Sequence, residues 1–192
     1  MVALCLALAA PSPLRAAPAL SEEDLALLAA GGAVVHVGED ASGEADAAIE
    51  AAIDIAAPPS RVFAVMTDCA RAPRYVEGLI SCRVLQRSAD GLSDIREHHS
   101  RYLAFLPDMI SIFRSTYIPN HEIRFERVGG DLKFLKGVWT LEAKNGGRAT
   151  RVGYEVRVSA SVSAPGFLIR AALEETMPNI LGALRREVLS GK

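Results

Sequence analysis

Lysine is scarce in this 192-residue chain: four of the 21 basic residues are lysines (Lys133, Lys136, Lys144, Lys192) and the rest are arginines. Charge of one sign is lacking too. The net charge is −2, with no basic patch and no charge run, so the electrostatic footprint of a nucleic-acid binder is missing. The apolar run Val2–Ala10 has nine residues, far fewer than the roughly 20 that a membrane-spanning helix needs. Cysteine numbers three and histidine four. His, Cys, Asp and Glu nowhere recur at zinc-ligand spacing, so neither a metal nor another cofactor is expected. No internal repeat is visible, and nothing after residue 20 is of low complexity.

What remains is an ordinary globular composition, 50% hydrophobic and 23% charged, of a length suited to one domain. The arginine and alanine bias fits a GC-rich bacterial genome. Residues 1–19, "MVALCLALAAPSPLRAAPA", combine the short apolar run with two prolines and the small-residue triplet Ala17-Pro18-Ala19. That is the h-region and cleavage-site pattern of a signal peptide, although no Lys or Arg precedes the run. The sequence therefore predicts a periplasmic or secreted protein whose mature chain starts near Leu20. Losing Arg15 leaves 20 basic against 23 acidic residues, a net charge of −3. Two cysteines remain, Cys69 and Cys82. They flank a short turn segment, and an even count in an exported protein permits one disulfide. Closing such a loop is worth about 3 kcal/mol in the chain-entropy model.

Ser21 followed by Asp24 marks a helix start that ends at Gly31-Gly32, and "AVVHV" at 33–37 is a short strand-like run. Residues 20–45 read as an extension before the main domain at 46–192. There, "AAIEAAIDI" alternates into a strand, and Pro58-Pro59-Ser60 opens a helix. A short helix or turn around "ARAPRYVEG" comes next. Six β-like runs follow at 80–88, 92–105, 109–118, 121–128, 133–144 and 148–161. Turn chemistry at Gly129-Gly130 and Asn145-Gly146 makes them an antiparallel meander. A long helix over 166–189 carries the stripe Leu173, Met177, Ile180, Leu181, Leu184 and Val188, with Pro178 inside it as an expected kink. Only this helix is long enough to cover a single-layer sheet.

Four stretches in this order resemble the SRPBCC superfamily, which includes START lipid-binding domains, polyketide cyclase/dehydratase-like proteins and the coenzyme Q-binding Coq10 group. They are "AAIDIAAPPSRVFAVMTD", "RYVEGLISCRVL", "LKFLKGVWTLEA" and the end from "TRVGYEVRVSAS" through "MPNILGALRREV". Cys69 stands where the family usually has an aromatic residue. The resemblance covers about residues 46–190. It implies an α+β helix-grip (START-like/Bet v 1-like) fold, with a curved antiparallel sheet around the terminal helix and an apolar cavity between them.

The stretch "DIREHHSRY" puts two histidines, a glutamate and two arginines close together. On a strand, neighbours point to opposite faces, so His98 and His99 cannot easily share a metal ion. One face holds Arg96, His98, Ser100 and Tyr102; the other holds Ile95, Glu97, His99, Arg101 and Leu103. Periodicity does not choose which looks inward. The inward face could offer a polar group to a ligand, while the other would be a solvated charge ladder. A general acid–base role for a histidine lacks an accompanying nucleophile or oxyanion arrangement. Trp139 with Leu141, and Tyr154 with Val156, read as core or cavity lining. Tyr75 is a candidate for the entrance, and Phe125, Met177 and Leu181 complete the cavity-lining set. His36 and His121 read as surface residues. The expected function is non-enzymatic binding or transport of a hydrophobic small molecule, a lipid, isoprenoid or quinone-like compound, with transient membrane contact during exchange. Exchange would open a gap near Gly166 and Pro178. The rival readings are a cyclase/aromatase- or dehydratase-like enzyme and an envelope protein-interaction module.

Overall fold

The computed structural model describes residues 20–101, 108–159 and 166–191. Helix α1 (Glu22–Ala29) begins with a reciprocal capping box: Asp24 N–H donates to Ser21 Oγ, and Ser21 N–H donates to the Asp24 carboxylate. Two otherwise orphaned donors are thereby satisfied. Eight strands follow the expected positions closely: β1 (Ala33–Gly38), β2 (Ala47–Ile55), β3 (Leu79–Arg87), β4 (Ser93–Ser100), β5 (Met109–Ile118), β6 (Glu122–Gly130), β7 (Phe134–Lys144) and β8 (Ala149–Ser159). Helix α2 (Pro59–Thr67) and a 3-10 turn (Ala72–Arg74) separate β2 from β3, and helix α3 (Gly166–Leu189) closes the chain.

The strands form one sheet in the order β1-β2-β8-β7-β6-β5-β4-β3, with antiparallel pairing throughout. The 20–45 segment thus contributes an edge strand: β1 pairs with β2 from Ala33↔Ile53 to Gly38↔Ala48. Outside the sheet, α1 lays Leu28 on Val34 and Ala52. That explains why β2 is buried on both faces instead of alternating cleanly. The turn after β6 falls at 131–133, beyond Gly129-Gly130. Those two glycines pair with Ile112 and Ser111 on β5, next to a bulge at Ile112/Phe113. Gly130 carries φ +80°, and a Cβ there would run into the Ile110 carbonyl, so glycine is required.

Helix α3 packs on β1 and β2 and touches α2 and the 3-10 turn. It runs through Pro178 as one helix, with the proline on its exposed side. Its C-terminal half carries the core. Leu181, Leu184 and Val188, all 0% exposed, pack with Ile53, Ile55, Val62, Val65, Leu141 and Val152. Apolar burial stabilises by about 25 cal/mol per Å², so this end dominates the fold's stability.

Candidate functional site

The concave face can be followed across the sheet by register. Ala51 pairs with Tyr154, Tyr154 with Trp139, and Trp139 with Ile123. One row over, Ile49 pairs with Val156, Val156 with Gly137, and Gly137 with Phe125. A side chain at Gly137 would collide with the Phe125 ring, so the absence of a Cβ lets that ring lie flat across the sheet. Above this row stands the N-terminal half of α3. A second apolar cluster forms here from Ile49, Phe125, Val156 and Met177. Around it, Val35, Val37, Phe113, Leu135, Trp139, Tyr154, Leu173 and Ile180 face inward yet stay only half-buried. Inward-facing apolar side chains that keep solvent contact are the lining expected of an apolar chamber between sheet and helix, which the described residues leave incompletely covered. Its aromatic wall is continuous, with Trp139 stacked on Tyr154 at 3.8 Å, Tyr154 on Phe125 at 6.1 Å, and Phe125 against Phe113 at 6.2 Å.

The opposite wall is polar. Strand β4 turns Asp94, Arg96, His98 and Ser100 inward, opposite Ser115, Phe113, Ser111 and Met109 of β5. Arg96 is buried and engaged through Nε and Nη2. Its Nε and Nη2 donate to the Asp94 carboxylate at 2.8 and 2.9 Å, and Nη2 also donates to the Thr67 carbonyl at 2.7 Å and the Tyr117 hydroxyl at 2.6 Å. Burial works against the guanidinium charge, but the hydrogen bonds and charge of Asp94, with smaller contributions from Tyr117 and Tyr75, together outweigh it and keep the group more firmly protonated than usual. Burial, with Asp94 adding to it, pushes the Tyr117 phenol up to about 12. The cluster ties the end of α2 to the sheet. His98 is different. Its ring meets the edge of Phe113 at 4.7 Å, and burial, then the nearby Arg96 charge, lower its pKa to about 4. It is a neutral imidazole at physiological pH.

The other face of β4 is the charge ladder. Glu97 accepts from Arg83 at 2.9 Å, while Asp108 accepts bidentately from Arg101 at 2.6 and 2.8 Å and meets His99 Nε2 at 2.6 Å. Those Arg101 bonds hold the Asp108 carboxyl below its usual range.

The structure divides the remaining sequence candidates. Phe125, Trp139, Tyr154, Val156 and Met177 surround the chamber. Leu141 and Leu181 belong to the packed core, and Tyr75, buried against that core, also lines the cleft between Pro73–Leu79 and α3. Tyr75 Oη lies 3.5 Å from the Met66 carbonyl, and burial raises its pKa. Tyr102 lies outside the described residues. Phe113, Val35, Val37 and Leu135 went unnoticed. The alternation Phe113, Ser115, Tyr117 on β5 carried a signal, but one that becomes legible only when the inward face of β4 is known. Cys69 and Cys82 are joined in a disulfide, with Cα atoms 5.3 Å apart, linking the segment after α2 to β3.

Two surface hollows are lined by described residues. A cleft of about 270 Å³ separates Pro73–Leu79 from Asn179, Ile180, Ala183 and Arg186 of α3. A trough of about 490 Å³ crosses the outer face of the sheet beside residues 39–41. Its charges largely answer one another, as in Arg124–Glu122 and Arg157–Glu44. Among the described residues, no three His, Cys, Asp or Glu side chains gather as metal ligands, and no helix is long and apolar enough to cross a membrane.

Residues 55–185 match the family described as polyketide cyclase / dehydrase and lipid transport. Among solved structures, similarity extends to a STAR-related lipid transfer protein from Xanthomonas axonopodis (19% identity, TM-score 0.67, covering 82% of this chain and 93% of that one). Human STARD10 aligns with TM-score 0.71 at 13% identity over 83% of this chain and 70% of its own. The Zhui aromatase/cyclase from Streptomyces sp. R1128 aligns with TM-score 0.64 at 12% identity over 81% and 99%. At such identities the likeness is one of fold: the helix-grip architecture of START and Bet v 1 proteins. No curated protein sequence matches the chain.

Proposed function

The chain belongs to the polyketide cyclase/dehydrase and lipid transport family, and from that premise we propose that it carries a hydrophobic small molecule, a lipid, isoprenoid or quinone-like compound, without transforming it. The observation behind this reading is the chamber: inward-facing apolar and aromatic side chains under α3 that remain half-buried. A ligand there would bury apolar surface at about 25 cal/mol per Å². Against chemistry at this site stands the state of its polar groups. Arg96 is held by Asp94, Thr67 and Tyr117, and a histidine with a pKa near 4 is a weak base at neutral pH. The cleft between Pro73–Leu79 and α3 shares Ile180 with the chamber and is the proposed door, where transient membrane contact would deliver the ligand.

Two features support a location outside the cytoplasm, with residues 1–19 removed: the short apolar run ending in Ala17-Pro18-Ala19, and the Cys69–Cys82 disulfide, a bond that persists in oxidising compartments. The test of the carrier reading is native mass spectrometry of protein purified from its own host, followed by organic extraction. One apolar molecule per chain, recovered chemically unchanged after incubation, is the expected result. Turnover of the extracted compound by the purified protein would instead establish the cyclase- or dehydratase-like alternative.

A further inference from the structure

The walls of the chamber also specify the polar end of its ligand. Along the inward-facing positions of β4 there is one cation, Arg96, and one anion, Asp94, and they neutralise each other through two hydrogen bonds while 5% and 3% exposed. Among the described residues, the remaining inward polar groups on this wall are uncharged: the His98 imidazole, the Tyr117 phenol and the hydroxyls of Ser100, Ser111 and Ser115. The opposite wall adds the Tyr154 phenol beside Trp139. From α3, the described apolar residues packed against the chamber are Leu173, Met177 and Ile180, and the partly buried Arg170 is paired with Glu39. Arg127, across from Phe113, is exposed and donates to the Gly130 carbonyl.

An anionic head entering this space would give up its water and, among the described residues, meet no cation that is not already matched. A cationic head would meet the Arg96 charge and an anion already engaged. Burying a charge without a partner is strongly unfavourable, whereas a hydroxyl or carbonyl needs only one or two hydrogen bonds. Those are available. Neutral imidazole has one ring nitrogen that donates and one that accepts, and the Ser111 hydroxyl lies directly across the β4–β5 pair from His98.

We infer that the chamber selects a ligand whose polar end is uncharged, a hydroxyl or a carbonyl on a long apolar body, and that His98 with Ser111 receives it. This rests on the carrier reading above and narrows it: free fatty acids, phosphate esters and amines of the same chain length are discriminated against.

The test titrates the full-length mature protein at pH 7.5 with five probes of one chain length: tetradecane, 1-tetradecanol, 2-tetradecanone, myristate and tetradecyl phosphate. Quenching or shift of Trp139 emission is the readout. The alcohol and ketone should bind at least about tenfold more tightly than myristate or the phosphate, and more tightly than the alkane. His98→Phe keeps a ring against Phe113 and should abolish the preference for the alcohol over the alkane, weakening the alcohol about tenfold. Asp94→Asn leaves Arg96 unmatched and should reverse the order, so that myristate outcompetes the alcohol. Should that variant fail to fold, the wild-type series decides alone. Myristate or the phosphate binding as tightly as the alcohol overturns the head-group inference while the carrier reading stands. Binding of none of the five overturns the carrier reading itself.

Discussion

The two halves of helix α3 face the same sheet and do opposite things. Toward its C-terminus, Leu181, Leu184 and Val188 are fully enclosed by α2 and by β2, β7 and β8. Toward its N-terminus, Leu173 and Ile180 flank Met177 over an aromatic wall whose members remain half-buried. Both halves are apolar at helical spacing, so hydrophobicity does not separate them. What separates them is whether the chain supplies the opposing atoms. At the packed end α2 and the 3-10 turn do so. At the other end no helix among the described residues does so, and in the carrier reading the apolar surface there is what a ligand would cover. Stability and the proposed binding would then fall to different stretches of one element.

The largest effect is expected where the packed end is fastened. Asp94→Ala strips the partner from buried Arg96 and should cost about 3–5 kcal/mol in urea or thermal unfolding. A loss below about 1 kcal/mol would mean that the clamp on Thr67 and Tyr117 is not what holds α2 to the sheet.

A paired truncation tests the comparison itself. Leu181→Ala, at a fully enclosed position, should lose about 2–5 kcal/mol. Val37→Ala, at the half-buried chamber wall, should lose less, about 1 kcal/mol, because part of its surface already meets solvent. Equal losses would show that the interior is packed uniformly.

A smaller effect depends on pH. His98 titrates near 4 in the folded chain against about 6.5 unfolded. The unfolded chain therefore binds the proton first. This contribution to stability is intact above about pH 6.5 and is lost as pH falls toward 4, amounting to about 2 kcal/mol once partial exposure is allowed for. Unfolding free energies of wild type and His98→Phe, measured at pH 7 and pH 4, should fall further in wild type by about that amount. Parallel profiles would place His98 in water.

Much of this architecture was legible in the sequence, because strands announce themselves locally. The Val152, Tyr154, Val156 alternation, Pro59 at the start of α2 and the glycine-bearing turns each carry their own instruction. The chamber was harder to read. Arg96 and His98 look no more buried than Glu97 and His99 along the chain. Their direction is decided by a carbonyl 29 positions away and a hydroxyl 21 positions away. Likewise Leu141 and Leu181 share the pattern of Val156 and Met177, and only the placement of α2 and the 3-10 turn puts them in the filled core. The turn at 131–133 was shifted by the same kind of long-range choice, the pairing of Gly129 and Gly130 with β5.

The central claim is that the space under the first half of α3 is the binding site. The most direct measurement is a Trp139 fluorescence titration with a long-chain apolar probe, comparing wild type with Val37→Phe, which adds a ring to the chamber wall without touching the packed end. Saturable one-to-one binding by wild type, weakened at least about tenfold in a Val37→Phe protein of unchanged or higher thermal stability, is the predicted result. A folded Val37→Phe variant that binds the probe as tightly as wild type would contradict it.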